Sequence, residues 1–147
     1  IGAHFVKHGK QTWVICQVQD PTFPGLRNWG AGRLVFDEIY EFNTYDPNAV
    51  HHLLDMDRHP QTHAPGLYPV SWCRMYGKGR VFYTSLGHRP DVWKSVMYRE
   101  HITGGILWAL GLAPGDAAPQ QRDWSQYGLT RTASNSQTES ASSHNAR

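Results

Sequence analysis

Two positions of this sequence carry the side chains best suited to chemistry, a histidine at 88 and a glutamate at 38. His88 follows Gly87 directly, where a strand is predicted to end. In open α/β sheets, ligands bind beyond the carboxyl ends of the strands. A histidine there could serve as a general base, as a hydrogen-bonding partner of a ligand or as a metal ligand. The alternative is a histidine that caps the loop through a backbone carbonyl.

The glutamate lies in a run that mixes acidic and aromatic residues. Neighbouring residues of a strand point to opposite faces, so only one of Asp37 and Glu38 can face a cleft. We expect it to be Glu38, with Tyr40 on the same face, as a polar pair for a sugar hydroxyl or a metal. A solvent-exposed strand edge, or a salt bridge from Glu38 to Arg74 or Arg80, explains the same residues equally well.

Trp72 and Tyr83 are candidate contacts for a sugar ring, in addition to Tyr40. An aromatic ring can stack on the flat face of a sugar, but packing in the core is the commoner fate of such side chains. Both alternatives stay open for these two residues. The predicted site thus has two candidate catalytic residues, His88 and Glu38, and three candidate sugar-binding residues, Tyr40, Trp72 and Tyr83.

A second group of residues has side chains typical of metal ligands: Asp55, Asp57, His59 and His63. The first two end a predicted strand and the other two lie in a proline-bracketed loop, so nothing fixes a coordination geometry. We therefore expect an ordinary polar loop here. No particular cofactor is predicted, although a divalent metal stays open as an alternative. His51 and His52 lie in the same predicted strand as Asp55, and because neighbouring residues point to opposite faces, one of the two should be exposed.

The chain has two cysteines, Cys16 and Cys73. They lack the spacing of a disulfide framework or a zinc site. Each falls inside a predicted strand, whereas activated cysteines usually lie at strand-to-helix turns. We predict two buried, unreactive thiols.

The hydrophobic pattern predicts the elements that position these residues. Apolar and β-branched runs indicate strands over residues 11–20, 34–42 and 49–57, and residues 1–10 could form the end of a helix or a loop. Period-two alternation on both sides of Gly77-Lys78-Gly79 predicts a β-hairpin that ends near His88.

After the hairpin the period changes to that of a helix. Ser95 is a suitable N-cap and Gly111 a suitable C-terminal glycine. Gly104 and Gly105 lie inside this helix, where each costs about 1 kcal/mol relative to alanine. Such a cost indicates that another backbone packs closely there. Strands followed by a terminal helix favour a three-layer α/β domain.

Composition narrows the classes of partner. The net charge of the 147 residues is +2 and the basic residues are scattered, which argues against nucleic-acid binding. No apolar run approaches the roughly 20 residues of a membrane span. Nothing distinguishes a cytoplasmic from a periplasmic or secreted location.

The last part of the chain differs in composition from the rest. Beyond residue 112 it is rich in Pro, Gly, Ser, Thr, Asn and Gln, and such a segment buries too little apolar surface to offset the entropy of ordering it. We predict a folded unit over residues 1–112 and a disordered tail or linker over 113–147. Trp124 and Tyr127 are expected to dock only weakly.

Several of these segments together resemble the C-terminal half of the ThuA-like (trehalose utilisation) family. They lie between residues 2 and 111 in the family's order: Val18-Gln19-Asp20, Asp37-Glu38-Ile39-Tyr40-Glu41-Phe42, Trp72, Tyr76-Gly77-Lys78-Gly79-Arg80-Val81-Phe82-Tyr83, Leu86-Gly87-His88 and Gly104-Gly105-Ile106-Leu107-Trp108-Ala109. The resemblance implies a class I glutamine amidotransferase-like fold, an α/β sandwich with a flavodoxin-like sheet. It also implies that the domain is truncated at its N-terminus, because the family's first half precedes the region of Gly2.

The same resemblance implies roles for individual residues. His88 is placed like the base histidine of the glutamine amidotransferase fold. Phe23-Pro24 stands where the family often has His-Pro, so no role of that histidine carries over. The amidotransferase reaction itself is not expected, because neither cysteine is placed as a nucleophile.

We therefore expect a domain of carbohydrate metabolism that binds or processes a small-molecule sugar, trehalose or a related keto-sugar. The alternatives are a non-catalytic binding or scaffold module of a larger protein and a metal-dependent hydrolase. A sheet that lacks its first strands would present an open edge and an uncovered face, which favours self-association or pairing with the missing N-terminal half.

Overall fold

A computed structural model describes residues 1–120, 122 and 123 of the chain. Its elements are seven strands followed by two α-helices: β1 (His4–His8), β2 (Thr12–Val18), β3 (Gly32–Asp37), β4 (Tyr40–Asn43), β5 (His51–Arg58), β6 (Pro65–Tyr76), β7 (Gly79–Thr84), α1 (Pro90–Lys94) and α2 (Val96–Ala109). Short 3₁₀ turns precede β3 and β5. The described residues thus form a mixed α/β fold.

Five strands form one sheet in the order β3-β2-β5-β6-β7, and β1 pairs with β4 in a separate ladder. Every pairing is antiparallel. A flavodoxin-like sheet is mostly parallel, so this part of the expectation is not seen in the described residues.

The two faces of the sheet are covered by different elements. On one face, His101 of α2 lies 3.0 Å from the Ser71 hydroxyl. On the other, the ring centroid of Phe42 in β4 lies 5.4 Å from that of Trp72 and 5.8 Å from that of Tyr83. Helices pack on one face and the β1–β4 ladder covers part of the other. The described residues therefore confirm a mixed α/β fold, and the predicted three-layer sandwich is not confirmed in them.

The predicted hairpin is confirmed. Tyr76 pairs with Gly79, which leaves Gly77 and Lys78 as a two-residue turn. Gly77 has φ +58°, a conformation that glycine adopts without strain. Pairing of β6 with β7 then directs the chain into the loop that carries His88.

The predicted terminal helix is also confirmed. The Ser95 hydroxyl accepts a hydrogen bond from the Tyr98 N–H at 3.4 Å, and Gly111 has φ +76°. A Cβ atom added to Gly104 would overlap the backbone carbonyl of Pro24, so the expected close approach of a second backbone is present. The helix tolerates this glycine because the loop before β3 packs directly on it.

Two elements differ from the expectation. Residues 4–8 form a strand, whereas the sequence suggested a loop or the end of a helix. The predicted strand over 34–42 is two strands in different sheets, separated by Glu38 and Ile39. The reason is tertiary: β4 leaves the main sheet to pair with β1, and its Phe42 then covers the face of β6 and β7.

The edge of the main sheet is open at β3, which pairs only with β2 among the described residues. Cross-strand pairing of Trp13 with Phe36 and of Ile15 with Leu34 puts these side chains on one face. Trp13, Ile15 and Leu34 are each exposed to about 60 %. An apolar face beside an unpaired edge is the feature that favours self-association.

The described residues after α2 return to the sheet. Trp108 Nε1 donates to the Gly115 carbonyl at 3.0 Å, and His51 Nδ1 lies 2.8 Å from the Ala118 carbonyl. Residues 121 and 124–147, which include Trp124 and Tyr127, lie outside the described residues, so the tail remains a prediction there. None of the described helices is long and apolar enough to cross a membrane.

Candidate functional site

The candidate site is built where β3 ends beside the loop between β7 and α1. Asp37, the last residue of β3, is fully buried. Its carboxylate accepts hydrogen bonds from the backbone N–H groups of Glu38 at 2.9 Å, Gly87 at 2.7 Å and Arg89 at 3.1 Å. Because the residues on both sides of His88 are bonded to Asp37, this carboxylate fixes the backbone that carries His88.

Two aromatic side chains of the helices hold the same loop from its other side. Trp93 Nε1 donates to the Gly87 carbonyl at 2.7 Å, and the Tyr98 hydroxyl donates to the Leu86 carbonyl at 2.8 Å. A tyrosine hydroxyl is a donor at neutral pH, and burial raises the pKa of Tyr98 further, to about 12. The helices therefore position the loop, as well as cover the sheet.

Glu38 is the centre of the site. Its Oε1 lies 3.0 Å from His8 Nδ1 and its Oε2 lies 3.3 Å from His88 Nδ1. The Glu38 side chain is only 12 % exposed, whereas those of His8 and His88 are 46 % and 44 % exposed. The fold thus brings Glu38 and His88 together and adds a second histidine on the opposite side of the carboxylate.

The alternative salt bridges from Glu38 are not formed. Arg80 donates to the Trp108 carbonyl at 2.8 Å and lies over the Trp108 ring, and Arg74 approaches the Met75 carbonyl at 3.4 Å. The expectation that Asp37 and Glu38 point to opposite faces of one strand does not apply, because β3 ends at Asp37 and Glu38 lies outside it. Both carboxylates are buried, one towards the loop amides and the other towards the histidines.

The predicted aromatic residues lie at different depths. Tyr40 is half-buried, with its ring centroid 4.9 Å from that of Phe5 and 6.3 Å from that of His8. Tyr83 is also half-buried, and burial, with a smaller contribution from Tyr40, raises its pKa to about 12. Trp72 is fully buried beneath Tyr83, at a centroid distance of 4.3 Å. The core-packing alternative therefore describes Trp72.

An acidic side chain next to the site binds two more basic groups. Glu41 lies 3.6 Å from Lys7 Nζ and 3.4 Å from His59 Nε2. His59 Nδ1 accepts from the N–H groups of Gln61 and Thr62, both at 3.1 Å, so its proton is on Nε2 and faces Glu41. These contacts extend the polar surface around Glu38 and His8.

The residues considered as metal ligands do not converge. Asp55 is buried and lies 2.8 Å from His52, and Asp57 and His63 are exposed. Across residues 1–120, 122 and 123, no group of three or more His, Cys, Asp or Glu residues is arranged to hold a metal ion. The expectation that His51 or His52 is exposed is wrong, because each is buried beside a carboxylate, that of Asp20 or Asp55.

The cysteines are placed as predicted. Cys16 and Cys73 are free and buried. Burial raises the pKa of Cys16 to about 12 and also raises the pKa of Cys73. Neither thiol is a nucleophile in this structure.

Two cavities lie away from the histidines. One of about 240 Å³ lies between β3 and the helices, with Phe36, Leu86 and Tyr98 in its wall. The other, of about 470 Å³, lies beside Arg80 and Trp108. Neither is lined by His8, Glu38 or His88. Since the His8 and His88 rings are nearly half exposed, the site around Glu38 lies at the surface.

Sequence reasoning missed His8 and the role of Asp37. The run His4-Phe5-Val6-Lys7-His8 has no period-two alternation of apolar and polar residues, and its pairing with β4 is irregular between Phe5 and Lys7. Nothing in the pattern shows that this strand pairs with β4 and reaches Glu38. Asp37 was considered only as the carboxylate that would not face the cleft.

Comparison with known proteins gives one finding. The sequence of residues 1–109 matches the protein family described as "ThuA: Trehalose utilisation". This range contains every residue of the site. No curated protein and no solved structure matches the chain.

Proposed function

Because the chain belongs to the ThuA family, whose name implies a role in trehalose utilisation, we propose that it binds or processes a sugar at the Glu38–His88 site. The sugar would be trehalose or a related keto-sugar. The observation that carries the proposal is the contact between the buried Glu38 carboxylate and the half-exposed His88 ring. Histidines oriented by a carboxylate recur as general bases.

Each residue of the site has a proposed role. His88 would accept a proton from a sugar hydroxyl or from water, and Glu38 would orient the ring and stabilise its charged form. Tyr40 and Tyr83 would contact the sugar through their rings and hydroxyl groups. Trp72 would support Tyr83 from behind, because it is itself buried.

Calorimetric titration of the protein with trehalose and with its keto derivatives tests the proposal. We expect saturable binding that His88→Ala weakens by at least about tenfold, the effect of losing about 1.4 kcal/mol. His63→Asn is the matched control, because His63 is an exposed histidine of the loop before β6. No binding of any sugar, or unchanged binding by His88→Ala, would contradict the proposal.

A metal-dependent hydrolase is the second candidate function. Its support is the residue types alone, because two imidazoles beside one carboxylate are ligand types of zinc, although the described residues contain no group of three arranged to hold a metal ion. Stoichiometric metal in the purified protein, with sugar hydrolysis lost on chelation, would support it. Activity that survives removal of all metal would exclude it, and sugar binding without any reaction would favour the non-catalytic binding module.

For the fold, we also propose that the described α/β unit belongs to a flavodoxin-like, class I glutamine amidotransferase-like sandwich. The layer of helices on one face of the sheet supports this. An experimental structure with a second helical layer on the opposite face would establish it, and a complete domain without that layer would rule it out.

A further inference from the structure

We propose that His8 and His88 form a pair of hydrogen-bond acceptors, held in one tautomer by Glu38, that selects ligands presenting two hydroxyl groups. The selectivity for a sugar rests on the proposed function. The tautomers themselves do not depend on it.

The tautomer of His8 follows from its neighbours. Its Nδ1 lies 3.0 Å from the Gly9 carbonyl oxygen and 3.0 Å from Glu38 Oε1. A carbonyl and a carboxylate can only accept hydrogen bonds. The proton of the neutral imidazole is therefore on Nδ1, which leaves Nε2 as an acceptor.

The same reasoning applies to His88. Its Nδ1 lies 3.3 Å from Glu38 Oε2. An anionic oxygen this close to Nδ1 electrostatically favours the tautomer that carries its proton on that nitrogen. The proton of the neutral ring is therefore on Nδ1 here too, and Nε2 is again the acceptor.

Both acceptor nitrogens are available. Nε2 lies on the far side of each ring from Nδ1, so in both histidines it faces away from Glu38. Among residues 1–120, 122 and 123, neither atom has a protein hydrogen-bond partner, and both rings are nearly half exposed. The site thus offers two acceptors on the two sides of one carboxylate.

This arrangement specifies the ligand chemistry. Two acceptors are satisfied by two donors, which a pair of sugar hydroxyl groups supplies. A keto oxygen accepts but cannot donate, so a ketone at either position loses one hydrogen bond.

Two measurements test the inference. Long-range ¹H–¹⁵N NMR of the neutral imidazole rings, without sugar, should show the Nδ1–H tautomer for both His8 and His88. Glu38→Gln replaces one of the two carboxylate oxygens with an amide donor, so the ring that faces this donor should lose the Nδ1–H tautomer, whereas the other ring still faces an oxygen acceptor. His63→Asn should leave the tautomers of both rings unchanged.

Calorimetry then tests selectivity. At about pH 8, trehalose should bind about fivefold to tenfold more tightly than a keto derivative that lacks one of the contacted hydroxyls, and His8→Ala should weaken trehalose binding by a similar factor.

The outcomes separate the two proposals. Nε2–H tautomers, or an unchanged preference in His8→Ala, would overturn the acceptor pair even if sugars bind. Correct tautomers without binding of any sugar would overturn the proposed function and, with it, the selectivity.

Discussion

The buried carboxylate of Asp37 accepts a 2.7 Å hydrogen bond from the backbone N–H of Gly87, the residue before His88. The two residues are 50 positions apart in the chain. Gly87 has φ +104°, which a side chain would strain. The end of an edge strand thereby fixes the loop that carries the candidate base.

Asp37→Asn should lower both the stability of the protein and its affinity for a sugar. The asparagine NH₂ would face a backbone N–H, so at least one buried amide would lose its acceptor, a cost of about 1–3 kcal/mol. Urea unfolding should show this loss, and the imidazole NMR signals of His88 should move. Asp91→Asn is the control, because Asp91 pairs with Arg89 on the surface. Wild-type stability together with unmoved His88 signals would refute the role assigned to Asp37.

Gly104→Ala should destabilise the protein although alanine favours helices. The added Cβ would overlap the Pro24 carbonyl. Overpacking of this kind costs about 1–3 kcal/mol, which outweighs the propensity gain of about 1 kcal/mol. Urea unfolding measures the effect. Ile106→Ala, at a half-exposed position of the same helix, should stay within about 0.5 kcal/mol of wild type. A more stable Gly104→Ala protein would show that the helix and the Pro24 loop are not in contact.

His101 should make the protein less stable in acid. It is fully buried, and burial lowers its pKa from 6.5 to about 3. In the unfolded chain the imidazole of His101 binds a proton below about pH 6.5, whereas in the folded protein it stays neutral down to about pH 3. The free energy of unfolding therefore falls as the pH decreases from about 6.5 to about 3. The slope from this one residue approaches about 1.4 kcal/mol per pH unit.

The comparison with His101→Gln isolates that contribution, since glutamine keeps a donor for the Ser71 hydroxyl. Urea unfolding as a function of pH should give wild-type and variant curves that converge as the pH falls below about 6. His63→Asn should keep the wild-type slope, because His63 is exposed. Parallel curves for wild type and His101→Gln would mean that His101 is charged in the folded protein.

Leu34→Lys should reduce self-association. Leu34 lies on the open edge strand and is exposed beside Ile15 and Trp13. A lysine on an edge strand opposes pairing with another chain. Analytical ultracentrifugation should show concentration-dependent association of the wild type and less of it in the variant. Leu112→Lys is the control, since Leu112 is equally exposed but lies beyond α2. A monomeric wild type at all concentrations would contradict the prediction.

Local pattern was sufficient for much of this protein. The Gly77-Lys78 turn, the caps of α2, the close approach at Gly104 and the buried cysteines were each predictable. In each case the signal lies within a few residues, because turn geometry, helix capping and hydrophobic period are local properties of the chain. The family was predictable for a related reason, since its signature is a set of short segments in order.

The site required the tertiary structure. Glu38 and His88 could be chosen from the sequence, but the partners of Glu38 could not, because His8 reaches it only through the pairing of β1 with β4. The strand break after Asp37 was equally hidden. Alternation predicts opposite faces for Asp37 and Glu38, whereas packing of Phe42 on Trp72 moves β4 out of the main sheet. Sequence alone determined which residues could do chemistry; long-range strand pairing, which depends on burial across the whole chain, decided which of them meet.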